Sequence, residues 1–283
     1  MHDRPDDKKG RTIMKRATIV LIWAGLPLSA GNCAANLNWD IYSDAVINEG
    51  DVYDRVNVYD STAGNTRLEM LGGLAGELAV HDSSTVKMGG GDINSLFMLD
   101  TSLASISGGR VGSIFAHDSS SVDVSAGHIG SLDATEYAVI SFKGDATAEY
   151  LRGRSFSLVN IDGGRIERLG AWNSAIINIH GGLIVEGIGT RGFDGTINVF
   201  GYDLGKTSIG GRYGYGEVYG FFADDTAFTI SLGLGIHHHV KLVPEPGSLL
   251  LVALGAPLLR RRGWGTPVGV ENDEKVKTGR DLG

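Results

Sequence analysis

The chain has 283 residues, enough for a sizeable core in one or two domains. Glycine, at 43 residues, is about twice its ordinary usage of roughly 7%, while only 6 prolines are present, which excludes collagen and proline-rich disorder. A net charge of −8 argues against a nucleic-acid partner, whose footprint is a basic patch, and suits a soluble exported protein.

Taken in order, residues 1–13 are charged and patternless, either a long leading region or the product of an upstream start, with Met14 as the alternative start. Lys15 and Arg16, the apolar run Ala17 to Leu28 and the small residues that follow read as a secretory signal, so residues 1–35 are assigned to it with cleavage after Ala35. The single cysteine, Cys33, leaves with the signal. A lipoprotein anchor on Cys33 is the alternative, although Asn32 stands where a small residue is needed.

Residues 36–67 alternate weakly (Ile41, Ala45, Ile47, then Val52, Val56, Val58) and predict short strands or a cap, ending at the polar corner Asp60-Ser61-Thr62. From Leu68 a degenerate 18-residue unit recurs, clearest in LDTSLASISGGRVGSIFA, HDSSSVDVSAGHIGSLDA and RSFSLVNIDGGRIERLGA. Met88, Ile106, Val124, Phe142, Ile161 and Ile179 follow one register, Ile93, Val111, Ile129, Thr147, Ile166 and Ile184 a second, and Leu96, Ile114, Leu132, Tyr150 and Leu169 a third. One inserted residue near Leu151 accounts for the single spacing of 19.

Within each unit an apolar pair such as Val122 and Val124 has the period of two of a strand with one face inward. One strand per repeat cannot bury that face alone, but stacked copies merge their inward residues into a column and pair their backbones coil to coil. The fold class expected is therefore all-β, a parallel β-solenoid over 68–200 with ~18-residue coils. Inward spacings of two, five and three depart from the strict sixth-residue rule of left-handed hexapeptide solenoids, so a right-handed β-helix is preferred. Gly108-Gly109, Gly163-Gly164 and Gly181-Gly182 supply one corner and the Asp-Ser-Ser segments at Asp82 and Asp118, with Asp100 in part, another. Residues 201–242, rich in glycine and aromatics, are read as a C-terminal β cap and linker.

Residues 243–263 contain Pro244-Glu245-Pro246, an apolar run Leu249 to Leu259 and the cluster Arg260-Arg261-Arg262. This order resembles the PEP-CTERM sorting signal of exosortase-bearing bacteria, and FGYDL with FADDTAFTISL upstream is similar to segments that often precede it. The resemblance covers about 20 residues, and it implies exosortase as a processing partner, a transient membrane insertion with the arginines held on the cytoplasmic side, and delivery to the cell surface, outer envelope or extracellular matrix. Two features depart from the pattern: the apolar run is short of a ~20-residue span and holds Pro257, and a polar tail, 264–283, follows.

Chemistry-bearing residues are sparse. His237-His238-His239 reads as a solvated linker rather than a metal site, because neighbouring histidines of an extended chain face opposite ways. Asp82, Asp100 and Asp118 could form a carboxylate ladder about 5 Å apart, open to a bridging cation, but Glu136, Ser155 and Asn173 continue the column, and turn formation explains it better. Lys87, Arg110, Lys143, Arg152, Arg154, Arg165 and Arg168 look scattered, and no nucleophile triad, phosphate loop or dinucleotide fingerprint is present. Tyr137, Phe156 and Trp172 recur near one corner as a hint of sugar-binding platforms. The expectation is a non-enzymatic scaffold or adhesive module without cofactor or metal, with extracellular polysaccharide as a candidate partner. The alternative is a carbohydrate-binding or polysaccharide-degrading protein working from one solenoid face.

Overall fold

The computed structural model describes residues 37–61, 64–189 and 195–245. The secretory signal with Ala35, the remainder of the sorting motif from Pro246 on, and Arg260, Arg261 and Arg262 lie outside the described residues. The described chain is a parallel β-solenoid of about nine coils, each of ~18 residues. It contains seventeen strands and, among the described residues, one 3₁₀ turn at Ile236–His238 as its sole helical element.

The strands are β1 (Asn38–Ile41), β2 (Ala45–Ile47), β3 (Val52–Val58), β4 (Arg67–Met70), β5 (Leu74–Val80), β6 (Thr85–Met88), β7 (Asp92–Met98), β8 (Leu103–Ala116), β9 (Ser121–Ala134) and β10 (Val139–Phe142). They continue as β11 (Thr147–Gly153), β12 (Leu158–Ala171), β13 (Ile176–Ile188), β14 (Thr196–Thr207), β15 (Glu217–Phe221), β16 (Ala227–Ser231) and β17 (Val240–Pro244). Two parallel ladders run along the molecule. The first joins β2, β4, β6, β8, β9, β10, β12, β13, β14 and β17. The second joins β1, β3, β5, β7, β8, β9, β11, β12 and β13. The long strands β8, β9, β12 and β13 pass through the glycine corner and belong to both. Pairing in the second ladder skips one residue per coil, at Gly76, Asn94, Gly112 and Gly130, and resumes in the same register.

The inward columns are continuous. Leu68, Val86, Ala104, Val122, Ile140, Val159, Ile177 and Ile197 form one, and Met70, Met88, Ile106, Val124, Phe142, Ile161, Ile179 and Val199 the next, all buried. Each such side chain withdrawn from water contributes about 1.5–3 kcal/mol, and stacking makes every coil the lid of the one before it.

Three sequence expectations change. The solenoid begins before Leu68, since β1, β2 and β3 already pair in its ladders. The inserted residue falls in the turn between Phe142 and Ala148, not near Leu151. Ala148 pairs with Ile129 and Leu151 with Leu132, which makes Ala148 and Leu151 the buried residues and turns Thr147 and Tyr150 outward. A turn residue can be added without touching the ladder, whereas one added in the strand would flip every later side chain. Finally, the chain leaves the solenoid after β14, forms the antiparallel β15–β16 hairpin on it, and returns through β17, whose Val240 to Pro244 pair with Ile197 to Gly201. Pro244 therefore ends a ladder strand, and the N–H of Glu245 donates to the Gly201 carbonyl at 2.9 Å.

Candidate surface sites

The acidic corner is built on backbone geometry. Asp82, Asp100, Asp118, Glu136, Ser155 and Asn173 each adopt a positive φ between 53° and 59°, the left-handed conformation that short polar residues tolerate better than most. Their side chains do not converge on an ion. Asp82 N–H donates to the carboxylate of Asp100 at 3.0 Å, Asp100 N–H to that of Asp118 at 3.1 Å, and Asp118 N–H to that of Glu136 at 3.1 Å. Each acid thus accepts the amide of the corner one coil earlier, and among the described residues no cluster of three or more His, Cys, Asp or Glu side chains is placed to hold a metal. Where the coil first forms this corner, Asp60 accepts from the hydroxyl of Ser83 at 2.5 Å and that of Ser84 at 2.9 Å. These bonds hold the Asp60 carboxyl below the usual carboxylate range, that from Ser83 contributing most.

The three histidines are not an extended linker. His237 and His238 belong to the 3₁₀ turn that returns the chain to β17, and Lys206 Nζ donates to the carbonyls of His237 and Val240 at 3.0 and 3.1 Å. Burial, with help from Lys206 and His238, keeps His237 below its ordinary pKa.

Of the aromatic trio, Tyr137 and Phe156 share a column and stack at 5.6 Å, with 64% and 62% of their surface exposed. Trp172 lies two positions earlier in its coil, in the column of Thr135 and Arg154, and the Arg154 guanidinium sits 4.3 Å from its ring centre. On the first ladder, Asn160, Asn178 and Asn198 form an outward amide ladder with bonds of 2.9 and 2.8 Å.

The basic residues are less scattered than their sequence positions suggest. Lys143 pairs with Asp123 on the first ladder at 2.9 Å, but Arg152, Arg154, Arg165 and Arg168 gather on the outer side of the second. There Asp133, nearly buried, receives Arg152 at 2.6 Å and Arg154 at 3.4 Å. Arg165 meets Glu167 at 2.8 Å, Arg168 pairs with Glu186 and bonds the Tyr150 hydroxyl, and Arg212 reaches Glu186 from the cap at 3.6 Å. Arg168 holds the Glu186 carboxyl below its usual range. His128 lies 3.6 Å from Glu149. Of these, His128, Glu149, Arg165, Glu167, Arg168 and Glu186 line a hollow of about 520 Å³ in which Tyr150 is the aromatic element. A second hollow of about 210 Å³ adjoins it across Arg168 and ends at Trp172.

Glu149, Tyr150, Glu186 and Arg212 were not legible as site residues. Reading the inserted residue late placed Tyr150 in the core, and Arg212 reaches the face only because the cap folds back on it. Aligning Leu151 with Leu132 would have turned Tyr150 outward beside Ser131. No family model, curated protein or solved structure matches this chain.

Proposed function

We propose that this chain is a non-catalytic exported protein of the cell surface or extracellular matrix, a β-solenoid scaffold or adhesive module that an exosortase processes through residues 243–263. The supporting observation is the use of the acidic corner. Asp100, Asp118 and Glu136 belong to an acidic column repeated coil after coil, and each is engaged by the backbone N–H of the preceding coil. Carboxylates held in this way tie coil to coil, which is the demand on a spacer. Pro244-Glu245-Pro246 and Arg260-Arg261-Arg262, with the apolar run between them, supply the sorting route, with transient membrane insertion before cleavage.

The test is expression of the full chain in an exosortase-positive host and in its exosortase deletion. A shortened, surface-exposed product in the first and a full-length, membrane-associated one in the second is the expected result. Identical full-length chains in both hosts would overturn the sorting assignment, and turnover of any polysaccharide by the purified chain would overturn the non-catalytic one.

A further inference from the structure

The hollow around Tyr150 has a charge pattern that selects its ligand. Two guanidiniums, Arg165 and Arg168, line it with three carboxylates, Glu149, Glu167 and Glu186; His128 lies beside Glu149, and Arg212 reaches Glu186 from the cap. The guanidiniums are ion-paired within the face, so a polyanion would have to displace Glu167 or Glu186 to reach them, and an apolar ligand would strand both signs without water. A hydroxyl group satisfies both, because it donates to a carboxylate and accepts from a guanidinium N–H. Pairing also fixes the planar groups in advance, which lowers the ordering cost of binding.

Two aromatic rings complete the pattern. Tyr150 and Arg168 line both hollows, and Trp172 lines the second. Arg168, 4.9 Å from the Tyr150 ring centre, and Arg154, 4.3 Å from that of Trp172, each cover one aromatic face, so a sugar ring packs its positively polarised C–H groups on the opposite face. The larger hollow falls within the size range of small-ligand sites, and the adjoining one continues it for a further unit.

We infer that the outer face around Tyr150 and Arg168 binds a neutral, hydroxyl-rich polysaccharide, one sugar beside Glu149 and the next beyond Arg168 towards Trp172. The inference rests on the reading of the chain as an adhesive matrix module and names what it adheres to. Native electrophoresis of the purified full chain through gels containing laminarin, galactomannan, hydroxyethylcellulose or alginate tests it. Retardation by at least one of the three neutral polymers is expected, with the dissociation constant about tenfold higher in Arg168→Ala and Glu149→Ala and unchanged in Lys87→Ala, which lies on the other ladder. A readout independent of any truncated anchor is tryptophan emission, which the bound polymer shifts in the wild type and not in Trp172→Phe. No retardation by any neutral polymer, retardation by alginate alone, or equal retardation of Arg168→Ala and wild type overturns the inference. Exosortase processing is read on a different segment of the chain, so either result stands without the other.

Discussion

The carboxylate of Asp100 accepts a hydrogen bond at 3.0 Å from the backbone N–H of Asp82, eighteen residues and one coil earlier. The same side chain therefore forms a corner and ties it to its neighbour, and the backbone N–H of Asp100 passes the pattern on to Asp118 at 3.1 Å. Replacing Asp100 by alanine removes the acceptor and leaves an ordinary residue at a φ of 56°. A loss of about 1–2 kcal/mol is expected, and Asp100→Asn, which keeps an acceptor and tolerates this conformation, should lose less than about 1 kcal/mol. Urea midpoints of the two variants check the order.

Acid should loosen the same corner at its N-terminal end. The folded-state pKa of Asp60 is depressed by Ser83 and Ser84, so its contribution is present above the unfolded carboxylate value and lost as pH falls through the folded one. Asp60→Asn should therefore flatten the decline of stability below about pH 4 relative to wild type. Denaturation midpoints across pH 2.5 to 6, expressed as a wild-type-minus-variant difference, decide it. A difference that does not shrink on acidification would contradict the assignment.

Glycines at the corners are not equivalent. A Cβ on Gly109 would stand 2.5 Å from the Gly91 carbonyl oxygen and 2.6 Å from Met88 Cε, at a φ of +81°, whereas Gly50, at +89°, has nothing within 4 Å. Gly50→Ala should cost about 1–2 kcal/mol from backbone strain alone. Gly109→Ala adds overpacking against a backbone that the next coil holds in place, and should cost about 3 kcal/mol or more. Thermal melts of the pair report the difference.

Phe142 is the largest side chain of its inward column and sits in the coil that carries the inserted turn residue. Phe142→Ala should lose about 3–5 kcal/mol, and Phe142→Leu considerably less, because the column elsewhere accepts Met88, Ile106 and Val124 at this position. Hydrogen exchange in β10 and β12 should rise more than in β4, since a solenoid couples mainly nearest neighbours.

The Asn160–Asn178–Asn198 ladder offers a control on the outside. Asn178→Ala breaks both amide bonds at once, and the half-exposed site limits the loss to about 1–2 kcal/mol, measured by the same denaturation.

Much of this architecture was readable in the chain because its causes are local. Alternation at Val122 and Val124 and positive-φ glycines at one corner specify strand and bend within a single repeat, and recurrence at 18 residues requires the repeats to stack. The acidic corner was likewise visible as a turn former, although its partner was not, since the acceptor for the Asp82 N–H is a whole coil away.

The placement of one inserted residue marks the division. Within the sequence, position 150 followed the register of Leu96, Ile114 and Leu132. In the fold, a turn between Phe142 and Ala148 absorbs the extra residue, Leu151 enters the core and Tyr150 turns out beside Arg168. The sequence alone determined that the chain coils, where it bends and which columns are apolar, because burying alternating side chains is a demand each repeat carries within itself. Tertiary structure decided which outward residues meet, bringing Glu149, Arg168, Glu186 and the cap residue Arg212 onto one face. Outward positions carry no such demand, and their neighbours are set by the register between coils and by the path of the returning cap.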